Sequence, residues 1–238
     1  MKIAIIGYGK MGKIVESMAK NMGHDIHIVI DKNNAEDIKS QQFASADVAI
    51  EFTEPDAAVT NFYDSFSQQV PVVSGTTGWM DKYDDVVNAC SQADTAFFYA
   101  SNFSIGVNVL FEMNKKLANI MQQFSQYQPL ISETHHIHKK DAPSGTAIHL
   151  AEDLISAHSQ IKSWKKESSE NNNDLPVKSI REGEIFGEHS IVYESDVDIL
   201  ELTHKAKNRK GFALGAVLAA EFIQNKKGIF SMKDMLAF

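Results

Sequence analysis

The feature that most restricts the fold is a glycine-spaced turn, Gly7-Tyr8-Gly9-Lys10-Met11-Gly12, set between two apolar patterns of different period. Ahead of it, Ile3-Ala4-Ile5-Ile6 is an uninterrupted apolar run, the mark of a parallel strand buried on both faces. Behind it, Met11, Ile14, Val15, Met18, Ala19 and Met22 recur at spacings of three and four and predict a helix with one apolar stripe. Residues 26–30 form a second apolar run, which completes a strand-helix-strand unit. In that context Gly7 permits a tight turn, Gly9 lets backbone approach a pyrophosphate, and Gly12 allows close packing of helix on strand. The N–H groups and partial positive charge at the helix start would hold a diphosphate without a cationic side chain. Asp31 stands at the end of the second strand. As an acceptor for a ribose diol it favours NAD, whereas Lys32 beside it would balance a 2′-phosphate and admit NADP, so the pair leaves the choice open. The plainer alternative for both is a solvated pair at a strand end.

Alternation continues with apolar runs at 48–52, 70–74 and 95–100, separated by a helix after Pro55 and another from about 81 to 90. This predicts an α/β fold built on a Rossmann-like, doubly wound parallel sheet. Ligands of such sheets bind beyond the carboxyl ends of the strands. The residues there are Phe52-Thr53, Gly75-Thr76-Thr77-Gly78 and, after Ala100, Ser101-Asn102-Phe103. They suit a nicotinamide ribose and ring, although the Gly75 segment alone also fits an ordinary turn.

A chain of 238 residues, 43% hydrophobic, can bury one core or two small ones. A formal charge of −8 argues against nucleic acid or an anionic membrane as partner, so an anionic ligand must meet a local basic patch. Cys90, the one cysteine, cannot form an internal disulfide or a thiolate metal site alone. It is expected to pack within a helix. Met1-Lys2 leads directly into a strand too short for a signal-peptide core, and no apolar run approaches twenty residues, so a cytoplasmic location without membrane partner is expected.

The densest polar segment is Glu133-Thr134-His135-His136-Ile137-His138-Lys139-Lys140-Asp141-Ala142-Pro143-Ser144-Gly145-Thr146-Ala147. Leu130-Ile131-Ser132 ahead of it reads as a strand, and Ala147, Ile148, Leu150, Ala151, Leu154 and Ile155 after it have helical spacing. Pro143 and Ser144 mark the helix start. The segment is therefore a loop of titratable groups leading to a helix N-terminus at Ser144-Gly145-Thr146, which offers donors to a carboxylate, with Lys139 or Lys140 adding charge. Zinc held by His135, His136 and His138 is disfavoured, because one strand sends neighbouring side chains to opposite faces. Packing or surface histidines, and acid–base and substrate-binding histidines, both stay open.

These residues resemble the 4-hydroxy-tetrahydrodipicolinate reductase family. Glu133 to Ala147 matches its motif E-x-H-H-x-x-K-x-D-A-P-S-G-T-A without departure. Gly7 to Gly12, Ser74 to Gly78, Ala100 to Ser104, Arg181-Glu182-Gly183 with Gly187-Glu188-His189, and Phe212 to Ala216 also resemble it, in its order. Lys32 departs from the arginine of many relatives, which leaves the preference between NADPH and NADH open. The resemblance implies that Gly7, Tyr8, Gly9, Lys10, Met11, Gly12, Asp31, Lys32, Gly75, Thr76, Thr77, Ala100, Ser101, Asn102 and Phe103 contact the dinucleotide. It implies that His135 is a proton donor or acceptor, that Lys139 is a proton donor, and that His136, Ser144, Gly145 and Thr146 hold a small dicarboxylate. No metal is implied. Arg181 is a candidate for the second carboxylate, against a plain solvated strand-end arginine.

Residues 177–181, 189–194 and 197–203 read as strands, with Ser195-Asp196 as a turn, and would join a strand at 125–134 in one sheet. An apolar helix follows at 212–224. The resemblance implies a dinucleotide-binding domain at 1–103 and 212–238, an inserted α+β substrate and oligomerisation domain at 104–211, closure at the two crossings, and a homotetramer. Residues 162–174, rich in Lys, Glu, Ser and Asn, are expected to be an exposed, mobile loop. Two rival functions remain: another nicotinamide-dependent amino-acid dehydrogenase, which would lack the His-His to Ser-Gly-Thr block, and an NAD(P)H-binding redox sensor, which would not need Lys139.

Overall fold

In chain order the elements are β1 (Lys2–Ile6), α1 (Lys10–Asn21), β2 (Asp25–Ile30), α2 (Gln41–Ala44), β3 (Val48–Glu51), α3 (Pro55–Ser67), β4 (Val72–Ser74), α4 (Tyr83–Gln92), β5 (Ala96–Tyr99) and α5 (Ile105–Met121). They continue with β6 (Gln128–His135), α6 (Gly145–Ala157), β7 (Ser163–Lys166), β8 (Asp174–Arg181), β9 (Glu188–Glu194), β10 (Ile199–Lys205), α7 (Lys210–Ile223), β11 (Gly228–Phe230) and α8 (Met232–Leu236). The structure is a computed structural model that describes residues 1–167 and 173–238. It divides into two units, Met1–Ile105 with Lys210–Phe238, and Gly106–Arg209.

The first unit is a six-stranded sheet in the order β11-β5-β4-β3-β1-β2, parallel throughout. Strand side chains alternate between faces, so each strand feeds two cores. Ile3, Ile5, Val48, Ile50, Val73 and Phe98 meet Val15 and Ala19 of α1 and the alanines of α7. Ala4, Ile6, Ala49, Val72 and Phe97 meet Phe43, Phe62, Phe66, Val86 and Cys90 on the other side. Burying each large apolar side chain contributes about 1.5–3 kcal/mol, which is why the strands tolerate so few polar residues. Cys90 packs in α4 as expected, and burial pushes its thiol up to about 11.

The second unit holds a five-stranded sheet in the order β10-β9-β6-β8-β7. β10, β9 and β6 are antiparallel neighbours, while β6, β8 and β7 run parallel. α5 and α6 cover one face, where Val107, Leu110, Leu150, Ala151 and Leu154 pack on Ile131, Val177, Ile191 and Tyr193. On β6 burial alternates strictly, so that Pro129, Ile131, Glu133 and His135 all point to that covered face.

Two differences from the sequence expectations stand out. The stretch 162–174 is not simply a loop: Ser163–Lys166 forms the edge strand β7, parallel to β8, and Ile161 and Trp164 pack into the core. Those two apolar residues supply burial that the lysine-rich composition hid, and lysines are what an exposed edge strand tolerates. Residues 168–172 of that expectation lie outside the described residues. The long helix α5, with Val107, Leu110, Phe111, Asn114, Ala118 and Met121 buried at helical spacing, is an element the sequence expectations did not contain.

Candidate active site

In the first unit the turn after β1 delivers Gly7, Tyr8 and Gly9 to a cleft of about 360 Å³, lined also by Asp31, Lys32, Phe52, Thr53 and Glu54. Gly7 adopts φ +91°, and a side chain there would meet the Phe52 carbonyl at 2.1 Å; one at Gly12 would meet the Gly7 carbonyl at 2.1 Å. Both positions therefore exclude a Cβ, and the turn and helix lock together through backbone. α1 starts at Gly9 with no side-chain cap and no acidic residue in its first turn. Its leading N–H groups and dipole are thus not capped by a side chain, which is the arrangement that can accept an anion. These observations fit a dinucleotide. A larger opening of about 510 Å³, lined by Asp56, Asp81 and Asp85 with Lys82, carries the wrong charge for phosphates.

Gly75-Thr76-Thr77 and Ala100 to Phe103 follow β4 and β5 but do not line that cleft. The Thr76 hydroxyl donates to Glu51 at 2.9 Å, and the Phe103 ring is buried against Phe52 and Phe98. Any contact of Phe103 with a cofactor is therefore through its backbone, because its ring belongs to the core. Glu51, at the end of β3, went unnoticed in the sequence. It is fully buried and accepts hydrogen bonds from the Thr53 N–H, the Thr53 hydroxyl, Ser74 and Thr76. Burial raises its pKa, and these neutral donors only partly offset that rise.

In the second unit the sheet register assembles a polar cluster. Glu133 and His135 share one face of β6, His189 of β9 lies opposite Glu133, and Arg181 of β8 lies opposite His135. Glu133 Oε1 accepts from the Arg181 guanidinium at 3.1 Å, and both carboxylate oxygens accept from the Ser144 N–H at 3.1 and 3.2 Å. Glu133 Oε2 lies 3.4 Å from His135 Nδ1 and 3.7 Å from His189 Nε2. Ser144 caps α6, its hydroxyl accepting from the Ala147 N–H at 3.2 Å, and open space faces Gly145. With the Ser144 N–H given to Glu133, its hydroxyl proton and the Gly145 and Thr146 end of the helix are what remain to meet a carboxylate.

Burial acts to raise Glu133, but hydrogen bonding from Ser144, the neighbouring Ser179 hydroxyl and the charge of His135 outweigh it and hold the carboxyl below its ordinary range. His135 is lowered by burial, only partly opposed by Glu133. His189 is lowered to about 4 by burial and then by the charge of His135. Lys139 sits on the loop after β6, its Nζ 2.8 Å from Asp141. Arg181 also donates to the Lys139, Asp141 and Ile180 carbonyls, so it holds the loop, and its guanidinium is mostly committed. That is neither a free carboxylate site nor a solvated strand end.

His136 is half-buried near His138, and His138 turns outward to pair with Glu184. The three histidines of the motif do not converge. Among the described residues the grouping with ligand-like spacing is Glu133, His135 and His189. A guanidinium 3.1 Å from the carboxylate and the N–H donors on both its oxygens oppose a metal cation there. The involvement of Glu133 and His189 is invisible to spacing alone, because it depends on how β6 and β9 pair.

Family models for the dihydrodipicolinate reductase N-terminus and C-terminus match residues 1–103 and 106–236. The chain is 46% identical to the 4-hydroxy-tetrahydrodipicolinate reductase of Christiangramia forsetii, covering all of this chain and 98% of the relative. It is 32% identical to the enzyme of that name from Thermosipho africanus, covering 99% and 98%. A dipicolinate-bound dihydrodipicolinate reductase from Paenisporosarcina sp. TG-14 shares the fold, with TM-score 0.78 at 22% identity over 98% of both chains.

Proposed function

The chain belongs to the dihydrodipicolinate reductase family, and from that premise we propose how its residues divide the work of the reaction. It is an NAD(P)H-dependent oxidoreductase that reduces 4-hydroxy-tetrahydrodipicolinate to tetrahydrodipicolinate with loss of water, a step of lysine and diaminopimelate biosynthesis. The observation that carries this is the family match over both segments, together with the uncapped N-terminus of α1 and the anchored N-terminus of α6.

Residues 1–103 and 212–238 are the dinucleotide-binding domain in this proposal, and 104–211 the inserted substrate domain. Gly7 to Gly12 hold the diphosphate, Asp31 and Lys32 meet the adenosine ribose, and Gly75 to Thr77 with Ala100 to Phe103 contribute backbone and hydroxyl groups toward the nicotinamide end. The bound reduced nicotinamide supplies a hydride. Reduction also consumes one proton, and Lys139 delivers it, its ammonium oriented by Asp141. His135 donates or accepts a proton, and His136, Ser144, Gly145 and Thr146 hold the dicarboxylate. The small dicarboxylate class is supported by the ligand named for the Paenisporosarcina structure.

We infer a homotetramer formed through the bare face of the second sheet. Half-exposed Leu130 and Val192 lie there, and Val197 and Ile199 at the β9–β10 end are 83% and 60% exposed. A cytoplasmic location fits a biosynthetic reductase with one buried free cysteine and no helix, among the described residues, long and apolar enough to cross a membrane.

The test is oxidation of NADH and of NADPH, separately, with substrate generated in situ from pyruvate and aspartate semialdehyde by the preceding synthase. Substrate-dependent loss of reduced-nicotinamide absorbance is expected; cofactor binding without turnover would move the protein to the sensor class.

A further inference from the structure

We propose that Glu133 is a positioning residue for the reduction: it holds the single proton of the neutral His135 ring on Nδ1, leaving Nε2 to exchange a proton with the substrate, while the same carboxylate fixes the Ser144 end of α6. This rests on the acid–base role given to His135 above.

A neutral imidazole carries one N–H, and the nitrogen that keeps it is the one nearest an acceptor. His135 Nδ1 is buried and makes no hydrogen bond in this structure, and the Glu133 carboxylate stands 3.4 Å from it. On the other side of the ring, Nε2 faces Gly187, where even a Cβ would come within 3.1 Å, so that edge is kept clear of side chain.

Glu133 can serve as this acceptor because it is kept ionised despite 1% exposure. The Arg181 guanidinium and the doubly shared Ser144 N–H supply the charge and donors that burial demands. The groups facing His135 are then Glu133 on its own strand, Arg181 on β8, His189 on β9, and Lys139 and Asp141 on the loop that follows. Of these, Glu133 and Asp141 favour the charged ring, Lys139 and Arg181 oppose it, and His189 stays neutral near pH 7. Removing the Glu133 charge must therefore make His135 harder to protonate.

The geometry also explains why one carboxylate serves two ends. Ser144 follows the loop that begins at His136, and Arg181 binds carbonyls of the same loop at Lys139 and Asp141. Glu133 thus ties the proton-exchanging ring, the loop bearing Lys139 and the carboxylate-binding helix terminus to one buried point.

The first test uses the wild-type enzyme labelled with ¹⁵N-histidine, reading ring tautomers by long-range ¹H–¹⁵N correlation, with His135 assigned by the signal lost in His135→Asn. A neutral ring protonated on Nδ1 is expected near pH 8; a ring protonated on Nε2 overturns the proposal without any substitution of Glu133. The second test is Glu133→Gln. Turnover is expected to fall by roughly 10²-fold or more, as when a histidine loses the carboxylate that sets its tautomer. The limb of the kcat/KM–pH profile that reports His135 should move to lower pH, with KM for the dinucleotide unchanged and Glu133→Asp partly restoring turnover. A slower Glu133→Gln enzyme with its pH limb unmoved would make Glu133 a structural clamp only. If the wild type itself does not turn over while His135 is protonated on Nδ1, the catalytic reading fails and the tautomer assignment stands.

Discussion

Glu51 in the first unit and Glu133 in the second are both removed from solvent, yet they are stabilised in opposite ways. Glu51 is met by three hydroxyls and one backbone N–H, all neutral, and burial raises its pKa. Glu133 is met by a guanidinium, a helix-capping N–H and two imidazoles, and its pKa is lowered. Burial alone thus does not decide whether a carboxyl is charged; the kind of donor around it does. The difference follows the division of labour. In the proposed reading the first unit holds the dinucleotide's diphosphate with backbone N–H groups, whose charge never changes, while the second moves a proton and concentrates the groups that can gain or lose one.

If charge is concentrated where protons move, substitutions should separate the two units. Lys139→Ala is expected to lower kcat by roughly 10²–10⁴-fold with folding intact, measured by steady-state turnover alongside thermal melting; near-normal turnover would remove Lys139 as proton donor. The next largest effect is on stability. His189 titrates near 4 in the fold against an ordinary 6.5, so as pH falls through that window the unfolded chain takes up the proton first. The fold should lose about 3 kcal/mol between pH 6.5 and pH 4 from this group, read by denaturant midpoints, and His189→Gln should flatten that slope. Asp31→Ala, in the first unit, should weaken NADH by about tenfold and NADPH less, since a diol acceptor helps only the former; equal losses would dismiss Asp31 as the ribose acceptor.

The smallest effect is the most direct check of the comparison. A raised carboxyl contributes stability at low pH that is lost as pH rises through its folded value, the reverse of His189. Glu51→Gln keeps the neutral hydrogen-bonding pattern, so it should change Tm little near pH 4.5 and raise it at pH 8. A large loss at both pH values would show that Glu51 is held charged, as Glu133 is.

Much of this could be read from residue order because period and punctuation agree. The first five strands and their helices are apolar runs broken by glycine, proline and polar turns, and Ser144 does cap a helix. α5 escaped because Val109, Met113 and Ile120 are exposed on its outer side and blur the apolar stripe. β7 escaped because it is only four residues long and two of them are exposed lysines, the charged residues an edge strand carries. In the site, the contiguous motif pointed to His135, Lys139 and Ser144, whereas the roles of Glu133, Arg181 and His189 arise from cross-strand register, which links residues far apart in the chain. Glu51 was hidden inside the otherwise apolar run 48–52.

The first unit is also closed by its latest residues. α7 supplies Ala213, Ala216, Val217, Ala220 and Ile223 to the core that Ile3, Ile5, Val48 and Ile50 begin, and β11 completes the sheet edge on β5. During synthesis that face of the nascent sheet is covered by α1 alone until Lys210–Phe238 emerges, after the segment from Gly106 to Arg209 has been made. The unit begun second is thus able to mature first, and the half-covered sheet waiting for its C-terminal helix is the stage at which a chaperone would be of most use.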